Sequence, residues 1–183
     1  EGHTHEALSR NGGRAREMYT NRFECVLAST PCRPPRPRRR HQQVMETAIV
    51  VGPTAHEIHT DAMARIKVQF HWDLDGKLDE HSSCWIRVMQ PWAGPHWGFH
   101  FTPRVGMEVV VTFLEGDPDR PLVTGCVYAP YRAPPFYLPE HKTRSTWKTE
   151  STPGGGWNEL TFEDAKGEEL VYLRAERDLV GEV

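Results

Sequence analysis

The chain has 183 residues, a formal net charge of −3, 38% hydrophobic residues, and 15 each of glycine and proline. That length suits one or two small domains, and that charge does not fit a surface that coats nucleic acid. No apolar run approaches the roughly 20 residues of a membrane-spanning helix.

The chain begins with Glu1 rather than Met and opens in mid-pattern, so a piece of a longer protein is expected. Residues 1–20 are polar and irregular; the pair His3 and His5 lacks further ligands and reads as terminus rather than metal site. Across Met18–Ala28, Tyr19, Phe23 and Cys25 share one parity, the pattern of a strand face. With no partner strand nearby, residues 1–30 read as the end of a preceding domain. Residues 31–43 are rich in proline and arginine. The run is short and holds no interleaved aromatics for base stacking, so an extended linker is expected rather than a nucleic-acid arm.

A barrel domain is predicted over residues 44–130. Thr47–Val51 is an apolar strand stopped by Gly52-Pro53. Over residues 64–72 the chain alternates, with Ile66, Val68, Phe70 and Trp72 on one face and Lys67, Gln69 and His71 on the other. A turn at residues 73–77 leads to a third strand, Ser83–Gln90. Gly106–Leu114 and Leu122–Tyr128 are rich in β-branched residues and flank the turn Glu115–Pro121, which makes a hairpin with a long acidic tip. Five short strands with turn-rich joints predict a small closed barrel of the OB type.

Residues 131–156 are a Pro/Gly-rich connector ending in Gly154-Gly155-Gly156. Over residues 157–183, Trp157–Phe162 and Glu169–Ala175 alternate around a turn at residues 164–167. A lone hairpin is marginal in water, and nothing else in the chain is left to cover these apolar residues. Self-association is therefore expected, with Trp157, Leu160, Phe162, Val171 and Leu173 at the contact between subunits.

Patterns that carry covalent chemistry are missing. The sequence has no G-x-S-x-G, H-E-x-x-H or P-loop, and no C-x-x-C among Cys25, Cys32, Cys84 and Cys126. Cys84 and Cys126 lie in strand-like runs and are expected to be small buried hydrophobes in a reducing compartment. His96 and His100 would face one metal only on a helix, which Pro95, Gly98 and Pro103 disfavour. Asp117 and Asp119 flank a proline at an exposed tip, where a general acid or base would lack a cleft. No catalytic residue, cofactor or metal is expected, and a polysaccharide-cleaving enzyme lacks a positioned carboxylate pair. The alternative to a structural role is an OB module that stacks nucleic-acid bases on Trp72, Trp85, Trp92 or Trp97.

Several runs resemble one family, in that family's order. They are Thr60–Asp73, Ser82–Val88, Trp92-Ala93-Gly94, Pro103–Val111 and Phe113–Pro121. Together they are similar to the valine-glycine repeat protein G (VgrG) spike of type VI secretion systems and to related contractile phage tail spikes, over roughly residues 18–183. Ala64 departs from the glycine usual in the family, which matters only if the backbone there needs a positive φ.

The resemblance implies a homotrimer: a hub, of which residues 1–30 are the end, then OB barrels, then the start at residue 157 of an intertwined β-helical needle. It also implies a spike that is assembled in the bacterial cytoplasm and driven out by sheath contraction. Its implied partners are an inner tube protein below the hub, a needle-tip capping protein and effectors. Nucleic acid is not implied, and the target membrane is contacted only in passing.

Overall fold

The computed structural model describes residues 45–182 together with Phe23, Cys25, Leu27 and Ser29. The chain divides into two units, Glu1–Arg40 and His41–Val183, and the elements described below belong to the second. The expected strand near Tyr19–Ala28, the linker at 31–43 and the pair His3 and His5 lie outside the described residues, save for those four positions.

The elements are mostly β, as expected. In chain order they are β1 Met45–Val51, β2 Lys67–Phe70, β3 Arg87–Val88, β4 Ala93–Gly94, β5 Trp97–Gly98, β6 Glu108–Phe113, β7 Pro121–Val127, β8 Arg144–Lys148, β9 Glu159–Glu163 and β10 Leu170–Arg174. Five of them form one sheet in the order β2-β1-β6-β7-β3. All its neighbours are antiparallel except β3 and β7, which pair in parallel. The two outer strands then meet: Ile66 and Ile86 exchange backbone hydrogen bonds of 2.9 and 2.8 Å. This curls the sheet around a core of Ala48, Val50, Ile66, Val68, Ile86, Val109, Val111 and Val123. Each of the larger of these side chains contributes about 1.5–3 kcal/mol when removed from water.

The register between β6 and β7 shifts at Val110/Val111, so that Val111 opposes Val123 while Val110 opposes Gly125. Thr124 is the extra residue of this bulge, which bends the strand. Past it Gly125, Cys126 and Val127 are exposed. Cys126 is therefore exposed rather than buried, and so is Cys84, which precedes β3 on irregular backbone.

Two other sequence expectations change. The alternation of β2 stops at Phe70, and Trp72 lies in the following turn, exposed, with its indole N–H donated to Glu46 Oε2 at 2.7 Å. Gln69, expected on the outer face, is buried. Its amide donates to the Asp73 carbonyl at 3.1 Å and accepts from the Leu78 N–H at 2.7 Å, which ties down the loop after β2. A buried amide must find such partners, and Gly76 fits over it because a Cβ there would sit 2.3 Å from Gln69. At the acidic tip, Leu114–Gly116 forms a short 3-10 turn and Arg120 pairs with Glu115 at 2.7 Å.

The carboxy-terminal hairpin is not alone. β8 adds a third strand in the order β10-β9-β8, inside the stretch read from sequence as polar connector.

Candidate functional site

The three-stranded sheet has two unlike faces, and its register decides them. Trp147, Leu160 and Leu173 align in one row, and Ser145, Phe162 and Val171 in the next. Neighbouring residues on a strand point to opposite sides, so these six share one face. It is bare: Trp147 is 62% exposed, Val171 65% and Leu173 60%.

The opposite face is charged. Lys148, Glu159 and Arg174 align in one row, and Arg144, Glu163 and Leu170 in another. The Thr143 hydroxyl donates to Glu163 at 2.5 Å, the Arg144 Nε–H at 2.7 Å and the Ala165 N–H at 3.0 Å. These donors, Thr143 first, hold the Glu163 carboxyl well below its usual range, at about 2. Between these rows Thr161 is buried, 2.7 Å from both the Thr146 hydroxyl and Glu159.

Of the five residues expected at a subunit contact, the structure therefore brings four together: Leu160, Phe162, Val171 and Leu173. Trp157 shares the parity of Glu159 and lies on the charged side. Its ring packs under Arg174 at 3.5 Å and Lys148 at 4.7 Å, and its N–H donates to Glu159 Oε2 at 2.9 Å. A cation over an indole face is favourable, so Trp157 is satisfied within its own chain. Sequence reasoning missed Trp147, which lies on the apolar face but in a run that reads as polar.

This sheet is joined to the barrel at two places. At one, Phe99 meets Trp147 edge-on at 6.2 Å between ring centres. At the other, Glu57 accepts hydrogen bonds from the Thr152 hydroxyl and, at 3.3 Å, from the Gly154 N–H. Those two donors, with Arg104 at 4.0 Å, hold the Glu57 carboxyl below its usual range.

Among the described residues, the other sites considered from sequence do not gather into a reactive centre. Among the described residues no group of three or more His, Cys, Asp or Glu is placed to hold a metal. His96 is exposed on a positive-φ turn, and His100 Nε2 lies 3.2 Å from the Thr102 hydroxyl. Asp117 caps the tip by accepting the Asp119 N–H at 3.1 Å. Of the four tryptophans weighed as base platforms, only Trp92 and Trp97 touch each other, edge-on at 5.1 Å. Trp85 is covered by His59 and Lys67 instead. No helix among the described residues is long and apolar enough to cross a membrane.

Comparison with known proteins matches the same two parts of the chain. Residues 47–128 fit the type VI secretion system/phage-baseplate injector OB domain. Residues 145–183 fit the bacteriophage T4 gp5 C-terminal trimerisation domain. The chain is 47% identical over 173 residues to type VI secretion system spike protein VgrG5 of Pseudomonas aeruginosa, covering 93% of this chain and 22% of that protein. Spike protein VgrG4b of the same organism is 50% identical over 165 residues, covering 87% of this chain and 20% of the relative. The actin cross-linking toxin VgrG1 of Vibrio cholerae is 43% identical over 182 residues, covering 99% and 16%. The chain thus spans 16–22% of the length of these curated relatives. With both domains in the order the resemblance implies, and relatives of this identity along almost its whole length, the chain belongs to the VgrG family of type VI secretion spike proteins.

Proposed function

We propose that this chain is the neck of a trimeric, membrane-puncturing spike, and that its work is mechanical rather than catalytic. One observation carries the reading. The face of Trp147, Leu160, Phe162, Val171 and Leu173 is apolar, ordered and uncovered, and it lies within the residues that match a trimerisation domain. An exposed patch of this kind marks an interaction surface, and three identical copies can each present it to the others by closed rotational symmetry.

In this reading residues 44–130 are the barrel, 131–156 the connector and 157–183 the start of a β-helical needle, with residues 1–30 the end of a hub and 31–43 a linker. The spike assembles in the bacterial cytoplasm. It docks through its hub on an inner tube protein, carries a needle-tip capping protein and effectors, and crosses the target membrane when the sheath contracts. Stiffness and three-fold closure supply what such a part needs.

Sedimentation of the full-length protein tests this. The wild type is expected to run as a trimer, and a Phe162→Asp/Leu173→Asp variant as a monomer with an intact barrel. A wild type that sediments as a stable monomer would overturn the proposal.

A further inference from the structure

The barrel carries a second apolar surface that its own fold does not use. Residues 91–101 leave the barrel as a finger built on β4 and β5, which pair Ala93 with Gly98 and Gly94 with Trp97. Its aromatics face solvent: Trp92 is 60% exposed, Trp97 54% and Phe101 53%.

The finger is held rigid at its root and at its tip. Gln90 Nε2 donates to the Phe101 carbonyl at 2.9 Å, and Gln90 Oε1 accepts the Phe101 N–H at 3.0 Å. The Phe99 N–H donates to the Trp92 carbonyl at 2.9 Å. Trp97 lies so flat over Gly94 that a Cβ there would fall 2.2 Å from its ring. Phe99 and Phe101 stack at 6.1 Å. Ordered aromatics with few free rotors are what an interface core selects, because little entropy is lost when they are covered.

The chemistry of the finger and its neighbour together indicate its cover. Residues 91–101 contain no Lys, Arg, Asp or Glu, so they offer a phosphate backbone no cationic contact and suit an apolar protein surface. Through the Phe99–Trp147 contact, the finger is continuous with the bare sheet face inside the trimerisation domain.

We infer that the finger is the upper half of the same subunit interface: Trp92, Trp97 and Phe101 of one chain pack against a second copy of this chain and lock the barrels to the needle base. This inference rests on the trimer reading and extends it from the tail to the barrel.

Hydroxyl-radical footprinting of the full-length protein tests the inference, with the Phe162→Asp/Leu173→Asp variant as the monomer reference. Trp92 and Trp97 are expected to oxidise several-fold more slowly in the wild-type trimer than in that variant. A second variant, Trp97→Ser/Phe101→Ser, leaves the sheet face untouched and is expected to raise the trimer dissociation constant by about tenfold or more. A wild-type trimer in which both tryptophans oxidise as fast as in the monomer, or whose dissociation constant is unchanged by the second variant, overturns the finger inference and leaves the trimer reading intact. A monomeric wild type overturns both.

Discussion

The guanidinium of Arg104, in the barrel, donates a 2.6 Å hydrogen bond to the backbone carbonyl of Glu150, 46 residues further along the chain. The same side chain lies 4.0 Å from Glu57, which in turn accepts from Thr152 and Gly154. One barrel cation thus organises the crossing into the three-stranded sheet. Arg104→Ala removes a charged donor and is expected to destabilise this junction by about 1–2 kcal/mol. The amides of Ser151 to Gly156 should then exchange faster in hydrogen-exchange mass spectrometry, with the barrel core unchanged.

Ala64 occupies a backbone conformation that favours glycine, with φ of 56°. Its turn is imposed by Asp61, whose Oδ1 accepts the N–H groups of Met63 at 3.0 Å and Arg65 at 2.9 Å. The condition under which the departure from the family's glycine matters is therefore met. A left-handed alanine costs about 1–2 kcal/mol, and the added freedom of an unfolded glycine offsets part of the relief. Ala64→Gly is expected to stabilise the barrel by about 0.5–1 kcal/mol, read as a rise in its thermal midpoint. A lowered midpoint would count against the strain argument.

The barrel was legible in the sequence and the tail only in part, for physical reasons that differ by element. Ile66 and Val68, and Val109 and Val111, alternate with residues that are less deeply buried or bonded into loops, because each strand has one face on the core. β8 gives no such signal. Arg144, Thr146 and Lys148 face the charged side and Ser145 the other, so Trp147 is its only large apolar residue. β8 is held by its backbone ladder to β9, with charge pairing added across it, Arg144 at 2.7 Å from Glu163 and Lys148 at 4.0 Å from Glu159, and neither contribution shows as apolar alternation. Trp157 shares parity with Glu159 and Thr161 rather than with Leu160, so counting places it among the cations. Gln69 has no such marker, since its burial comes from the loop at residues 73–82 folding back on it.

Glu163 gives the three-stranded sheet a defined response to acid. Its folded carboxyl lies at about 2, lowered from 4.5, with the Thr143 hydroxyl the leading cause. A lowered folded value means that stability is present above pH 4.5 and is lost as pH falls toward 2. Thermal midpoints of the wild type should therefore drop across that window. Glu163→Gln should start lower at neutral pH and change less across it, and parallel curves would refute this assignment.

The Trp157 ring packs against two cations and donates its indole N–H to one carboxylate within its own chain. Trp157→Ala removes the ring beneath Arg174 and Lys148 and is expected to destabilise the sheet by about 1–3 kcal/mol. Because the ring lies on the charged side, the substitution should weaken the fold of each subunit without converting a trimer selectively into folded monomers. Guanidinium unfolding at two protein concentrations separates the two outcomes.

Among the described residues β2 and the run of β3 are joined by the two backbone hydrogen bonds between Ile66 and Ile86 and by the Val68 N–H donating to Ser83 Oγ at 3.0 Å, and the ladder of β3 to β7 spans just Arg87 and Val88. By contrast β1, β6 and β7 are laced along five residues or more. A load that deforms this hoop will part it first at that thin seam, while the longer ladders stay shut. Deuterium would then enter beside Ile86, through a slit that opens before any other strand lets go.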